Sequence, residues 1–261
     1  MSGGDEHHTR IELCEIARDI WQRGLGAAAD GNLSVRVGPN RVLTTPSARH
    51  KGRLKPSDIV AVDLHGRPLG SGRPSSEIAL HIAAYRARED VGAVIHAHPP
   101  MATAYQLAGG SLSELYVSEV IFAFGQVATA PYTTPTTASV ADILAPYLRC
   151  YDVVMMPRHG SVTLGADLTE AFMRLDAMEH TAHVCATAHL LSARFGAAPL
   201  PLADAEVDRL YTAARPDGGP AWRRAGSACP PLETEGRSSL DADSERLITA
   251  VLAALTAGSS A

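Results

Sequence analysis

Apolar positions change their period several times along the chain, and each change predicts an element. In IELCEIARDIWQ (11–22), Ile11, Leu13, Cys14, Ile16, Ala17, Ile20 and Trp21 recur near helical spacing, which predicts an opening helix. Short runs rich in β-branched residues follow at 33–37 (LSVRV), 41–45 (RVLTT) and 59–64 (IVAVDL) and read as strands. LGSGRPSS is a loop whose Ser75 or Ser76 is placed to cap a helix over EIALHIAAYRAR (77–88). VGAVIHAH then reads as a buried strand, followed by a helix from Pro100 to about Ala108. QVATAPY (126–132) is strand-like, a helix is predicted near 137–148, and DVVMMP (152–157) and SVTLG (161–165) form two more strands around Gly160.

A long helix is predicted over 168–194 with Leu175, Met178, Ala182, Cys185 and Leu190 as its core stripe. Two further helical segments near 202–214 and 241–257 are separated by RPDGGP and SACPPLETEGRSS, which read as loops. Strands and helices mix without regular β-α-β alternation, and no G-x-G-x-x-G phosphate loop is present. This favours a single three-layer α/β/α sandwich with a central mixed or antiparallel sheet over a dinucleotide-binding fold. The 261 residues suffice for one sizeable domain.

Composition narrows the functional classes. With 46% hydrophobic residues and a formal charge of −5 spread along the chain, the protein reads as soluble and globular. No basic stripe provides a footprint for nucleic acid. No run of about 18 apolar residues is available for a membrane span. MSGGDEHHTR lacks an apolar h-region and does not read as a secretory signal. Cys14, Cys150, Cys185 and Cys229 are far apart and form no C-x-x-C pair. A zinc–thiolate site or disulfide framework is therefore not expected, and scattered free thiols fit a cytoplasmic location. Eleven histidines against four Phe and two Trp mean that imidazole and carboxylate must hold any metal.

The stretch VIHAHPP (94–100) carries the sharpest signal. Alternate residues of a strand share a face, so His96 and His98 project side by side, with small Ala97 behind them. They can converge on one metal ion, or be two partly buried histidines bonded to backbone. A catalytic zinc typically takes three protein ligands, and His159 before a glycine turn is the best third candidate. His180 and His183, at i and i+3 on the long helix, are a weaker alternative. Glu77 is the carboxylate of interest, although a helix N-terminus favours a negative charge in any case. The hydroxyls before it, with free N–H groups, make a potential anion site, and DGNLS (30–34) and TTPSARHKG (44–52) add small-residue loops.

Taken in order, these pieces resemble the class II aldolase/adducin family. The matching runs are DGNLSVR (30–36), TPSA (45–48), KPSDIVAVD (55–63), RPSSEIALH (73–81), VIHAHPPMATA (94–104), APYTTPTT (130–137), RHGSVTLG (158–165) and the helix containing EHTAH. The match covers about residues 9–196, leaving a C-terminal helical extension over about 197–261. The resemblance implies a divalent metal, usually Zn2+ but also Mn2+ or Co2+, held by His96, His98 and His159. It implies Glu77 as acid/base, able to ligate the metal before substrate arrives. A phosphate pocket of Gly31, Asn32, Ser47, Ala48, Ser75 and Ser76 follows position by position.

The implied activity is that of a lyase in carbohydrate metabolism. It would cleave a ketose 1-phosphate to dihydroxyacetone phosphate and an aldehyde through a metal-stabilised enediolate. Decarboxylation of a hydroxylated aromatic acid, 4-epimerisation of a pentulose phosphate and an adducin-like structural head are the alternatives. A cytoplasmic homotetramer acting on a small molecule, without nucleic acid or membrane, is the expected setting. Ala48 stands where the family turn has glycine, Ala29 where a threonine is common, and Arg158 where asparagine is usual; these departures bear on the substrate.

Overall fold

The computed structural model describes residues 3–134, 139–214 and 229–232. The elements run α1 (Gly3–Gln22), β1 (Asn32–Gly38), β2 (Arg41–Thr44), β3 (Val60–Val62), α2 (Ile78–Ala87), β4 (Ala93–Ala97), α3 (Pro100–Leu107), α4 (Ser118–Ala123), β5 (Val127–Thr129), α5 (Ser139–Cys150), β6 (Val153–Met156), β7 (Gly160–Gly165), α6 (Leu168–Phe195) and α7 (Asp204–Ala214). The strands form one seven-stranded sheet in the order β3-β2-β1-β4-β7-β6-β5. Every pair is antiparallel except β5–β6. The expected mixed α/β sheet architecture is therefore present.

Two apolar cores lie on opposite faces of this sheet. One is built with α1, α3, α4, α6 and α7, and includes Leu13, Ala102, Ile121, Leu175 and Val207. The other is built with α2 and α5, and includes Leu80, Tyr85, Leu144 and Leu148. Alternation along β4 distributes its side chains accordingly: Ile95 joins the first core and Val94 the second. His96, two residues after Val94, therefore lies on the α2 side, and the register places it opposite Asn32 of β1 and Val162 of β7.

Several boundaries differ from the pattern in the sequence. α1 begins at Gly3, because its first two turns are polar and held by Thr9 donating to the Asp5 carbonyl and Arg10 pairing with Glu6, neither of which leaves an apolar period. α2 begins at Ile78, with Glu77 at its N-cap and no serine side-chain cap; the Ser75 hydroxyl instead accepts from the Glu77 N–H at 3.2 Å. The short α4 has only six residues, too few to display a period. Leu190 is 72% exposed. It lies five residues beyond Cys185, about 140° around the helix from the buried stripe. The predicted helix at 241–257 lies outside the described residues.

The cysteine expectation is corrected more substantially. Cys150 at the end of α5 and Cys229 form a disulfide across 79 positions, while Cys14 and Cys185 are free and buried. The same segment is held against β5 by Thr129 N–H donating to the Leu232 carbonyl at 2.7 Å, and by the Tyr151 hydroxyl donating to Pro230 at 2.6 Å. A pairing set by tertiary docking has no local spacing to reveal it. The inference from free thiols to a reducing compartment loses that support. Among the described residues no helix is long and apolar enough to cross a membrane.

Candidate metal centre

Three backbone features bring the histidines together. His96 is the penultimate residue of β4 and fully buried; His98 follows the strand, its N–H donating to the Leu25 carbonyl at 3.0 Å. His159 comes from the β6–β7 turn, where Arg158 takes a left-handed φ of 60° and the His159 N–H closes on the Met156 carbonyl at 3.1 Å. Gly160 allows this turn to lie against β4: a Cβ there would sit 2.2 Å from the Ala97 carbonyl oxygen and 2.8 Å from the His98 ring. The three rings stand 4.7–5.0 Å apart, centroid to centroid.

One ligand nitrogen from each ring lies within 4.8 Å of the others. His96 Nδ1 donates to the Ser161 carbonyl at 2.9 Å, which leaves its Nε2 lone pair facing His98 Nε2 at 3.1 Å. A tetrahedral ion with nitrogen ligands at 2.0–2.1 Å separates them by about 3.3 Å, so this spacing fits a metal. Burial holds the pKa of His96 well below its ordinary value and lowers that of His159, keeping imidazoles in the neutral form a metal needs. His159 Nδ1 is buried with no partner among the described residues. The donor set and its spacing fit a divalent cation. His180 and His183 are exposed on α6 and take no part in the cluster.

Glu77 completes the centre. Its carboxylate lies 3.4 Å from His96 Nε2 through one oxygen and 3.5 Å from His159 Nε2 through the other. Asn32 Nδ2 donates to the first oxygen at 2.8 Å. Beside it opens a cavity of about 150 Å³ lined by Gly31, Asn32, Ser47, Ala48, Ser75, Ser76, Glu77 and His98, together with Ala29, Asp30, Pro46 and Lys51. The structure thus brings all ten sequence-derived site residues to one place. Gly31 is required there by its φ of +71° and by the His96 carbonyl, 2.8 Å from where a Cβ would be. Ala48 occupies the same left-handed region at φ 55° without glycine's freedom.

Two parts of the site were not among the residues singled out in the sequence. Lys51 is 4% exposed, and its ammonium donates to the carbonyls of Ala29 at 2.6 Å and Arg49 at 3.0 Å, tying two pocket loops together. Burial pushes its pKa down to about 8, against the opposing pull of Asp30 and Glu77. Nothing in a lysine within a loop announces such burial. The second part is a row of buried polar groups behind Asn32, formed by Ser34, His81 and Tyr85. Its signal was present as polar residues spaced by four on an otherwise apolar helix.

Residues 11–186 match the model of the class II aldolase and adducin N-terminal domain. A methylthioribulose-1-phosphate dehydratase from Methylococcus capsulatus is 35% identical over 189 residues, covering 67% of this chain and 92% of its relative. A 3-oxo-tetronate 4-phosphate decarboxylase from Haemophilus influenzae is 29% identical over 174 residues, covering 65% and 83%. Among solved structures, an L-fuculose 1-phosphate aldolase superposes with a TM-score of 0.69 at 28% identity, covering 78% of this chain and 94% of that one. The chain belongs to the class II aldolase and adducin N-terminal domain family.

Proposed function

We propose that the protein is a divalent-metal-dependent lyase of a ketose 1-phosphate, the metal held by His96, His98 and His159 and the proton moved by Glu77. The observation that carries this reading is the placement of the Glu77 carboxylate 3.4–3.5 Å from two nitrogens of the histidine cluster and in the lining of the adjoining cavity. When bound, the metal supplies Lewis-acid polarisation of a carbonyl and its neighbouring hydroxyl. Glu77, steadied by Asn32, is within reach to take a proton from a substrate hydroxyl or return one to carbon.

The phosphate is bound by the hydroxyls of Ser47, Ser75 and Ser76, the Asn32 amide and the backbone around Gly31 and Ala48. Lys51 lines the same cavity, and its two carbonyl partners leave one ammonium N–H over for the phosphate. Arg158, on the strained turn before His159, stands where the family usually has asparagine and enters as a candidate for the substrate's distal end.

The bond broken in the first reading is the carbon–carbon bond, giving dihydroxyacetone phosphate and an aldehyde. Loss of water is the second reading, favoured by the 35% identity to a dehydratase named for a ketose 1-phosphate. The phosphorylated substrates in the names of the aldolase, dehydratase and decarboxylase relatives support a phosphate pocket, and weigh against a hydroxylated aromatic acid. A panel of ketose 1-phosphates, phosphorylated 3-oxo acids and hydroxybenzoates, run with and without chelator, tests the proposal. Chelator-sensitive turnover of a ketose 1-phosphate is expected. Turnover of the aromatic acid alone, or activity indifferent to chelation, would remove it.

A further inference from the structure

β1 carries Asn32, Ser34 and Arg36 on its α2 side, and α2 presents Glu77, His81 and Tyr85 toward them. The two spacings match. Two strand residues advance about 6.6 Å and four helical residues about 6 Å, so successive polar groups meet rung by rung. Asn32 donates to Glu77 at 2.8 Å, and His81 Nε2 contacts Asn32 Oδ1. Ser34 Oγ lies 2.7 Å from His81 Nδ1 and 2.7 Å from the Tyr85 hydroxyl. Below them Arg36 closes the row, donating to the Tyr85 carbonyl and lying 5.0 Å from its ring. Asn32, Ser34, His81 and Tyr85 are all buried.

The proton positions along this row follow from its end. A carboxylate only accepts, so Asn32 turns its NH2 to Glu77 and its carbonyl oxygen to His81. His81 must then carry its hydrogen on Nε2. Burial lowers the ring's pKa to about 3, so it is neutral and Nδ1 is an acceptor. Ser34 therefore donates to Nδ1 and accepts from the Tyr85 hydroxyl. Every donor points toward Glu77, and each group's direction is determined by the one before it.

We propose that His81 is a positioning residue for Glu77, acting through Asn32 as the central member of a one-directional chain Tyr85→Ser34→His81→Asn32→Glu77. This rests on the acid/base role assigned to Glu77 above. Without the His81 donor the Asn32 amide loses the contact that fixes its rotation, and Glu77 loses its fixed partner. The metal-ligating histidines are untouched, and of the phosphate-binding groups only the Asn32 amide is loosened, so the larger part of the loss falls on the chemical step. Partners that orient catalytic groups in this way are typically worth about 10–100-fold.

The test uses the full chain loaded with zinc. Long-range 1H–15N NMR at pH 7 reads the His81 tautomer without any substrate, and the Nε2–H form is expected. With the substrate found in the panel, His81→Leu should lower kcat by about 10–100-fold while metal content stays within about twofold of the wild type and KM rises by a smaller factor than kcat falls. His81→Gln, whose amide restores a donor near Nε2, should recover most of that loss. Tyr85→Phe removes only a hydroxyl, and so covers the case in which His81→Leu does not fold; it should lower kcat by a smaller factor. An Nδ1–H or charged ring would overturn the proposal, as would Leu and Gln variants equally impaired or a kcat unchanged in both His81→Leu and Tyr85→Phe. If no panel compound turns over, the function reading fails, and the tautomer alone decides whether the chain exists.

Discussion

Replacing Gly160 with alanine tests how tightly the metal centre is held by the approach of β7 to β4. The new Cβ would lie 2.2 Å from the Ala97 carbonyl oxygen and 2.8 Å from the His98 ring, so the strands must part by about 1 Å or the ring must move. Overpacking of this kind costs about 1–3 kcal/mol. For a domain of this size each kcal/mol lowers Tm by about 2–4 °C. Because the displaced ring is that of a metal ligand, affinity for the ion should fall by about 10–100-fold. Mass action makes this measurable: an ion at 100 times its Kd stabilises the wild type by about 2.7 kcal/mol, a Tm rise of about 5–11 °C. At the same concentration a variant binding 100-fold more weakly gains about 0.4 kcal/mol, or about 1–2 °C. Calorimetric melts with and without Zn2+ read both effects. A variant with wild-type Tm and an undiminished zinc increment would refute the reasoning, showing that the β6–β7 turn does not set the position of His98.

Glu77→Gln should retain stoichiometric metal and lose about 10²–10⁴-fold in turnover, read by elemental analysis beside steady-state kinetics. Lys51→Met should weaken inorganic phosphate binding by about 10–150-fold in calorimetry, the value of a hydrogen bond to a charged group. Lys51 titrates near pH 8 in the folded protein but near 10.5 when unfolded, so phosphate affinity should fade above about pH 8 in the wild type and not in the variant. Over the same interval the unfolded chain binds the extra proton, so the Lys51 contribution to folding stability should rise with pH. Ala48→Gly removes a left-handed alanine at φ 55°, worth about 1 kcal/mol before glycine's larger unfolded-state entropy is counted, and should leave Tm unchanged or raise it by a few degrees.

What the sequence made legible was what repeats locally. β-branched runs located the strands, although their ends shifted by up to three residues, and the i, i+2 relation of His96 and His98 was visible before any fold was. His159 required the order of motifs as a whole, since its approach depends on a turn built from a left-handed Arg158 and a crowded Gly160. The disulfide between Cys150 and Cys229 and the buried ammonium of Lys51 were not legible, because each depends on how distant loops dock. The polar row behind Asn32 lies between these cases. Glu77, His81 and Tyr85 recur every four residues, but only the register against Asn32 and Ser34 turns that period into a hydrogen-bonded chain.

The central claim is that three histidines form one metal site. Isothermal titration of chelator-stripped wild type and His96→Ala with Zn2+ measures it most directly. One ion per chain is expected in the wild type, with binding in the variant weakened by at least about 100-fold while circular dichroism shows the fold retained. An unchanged isotherm for His96→Ala, or a wild type that takes up no divalent ion, would contradict it.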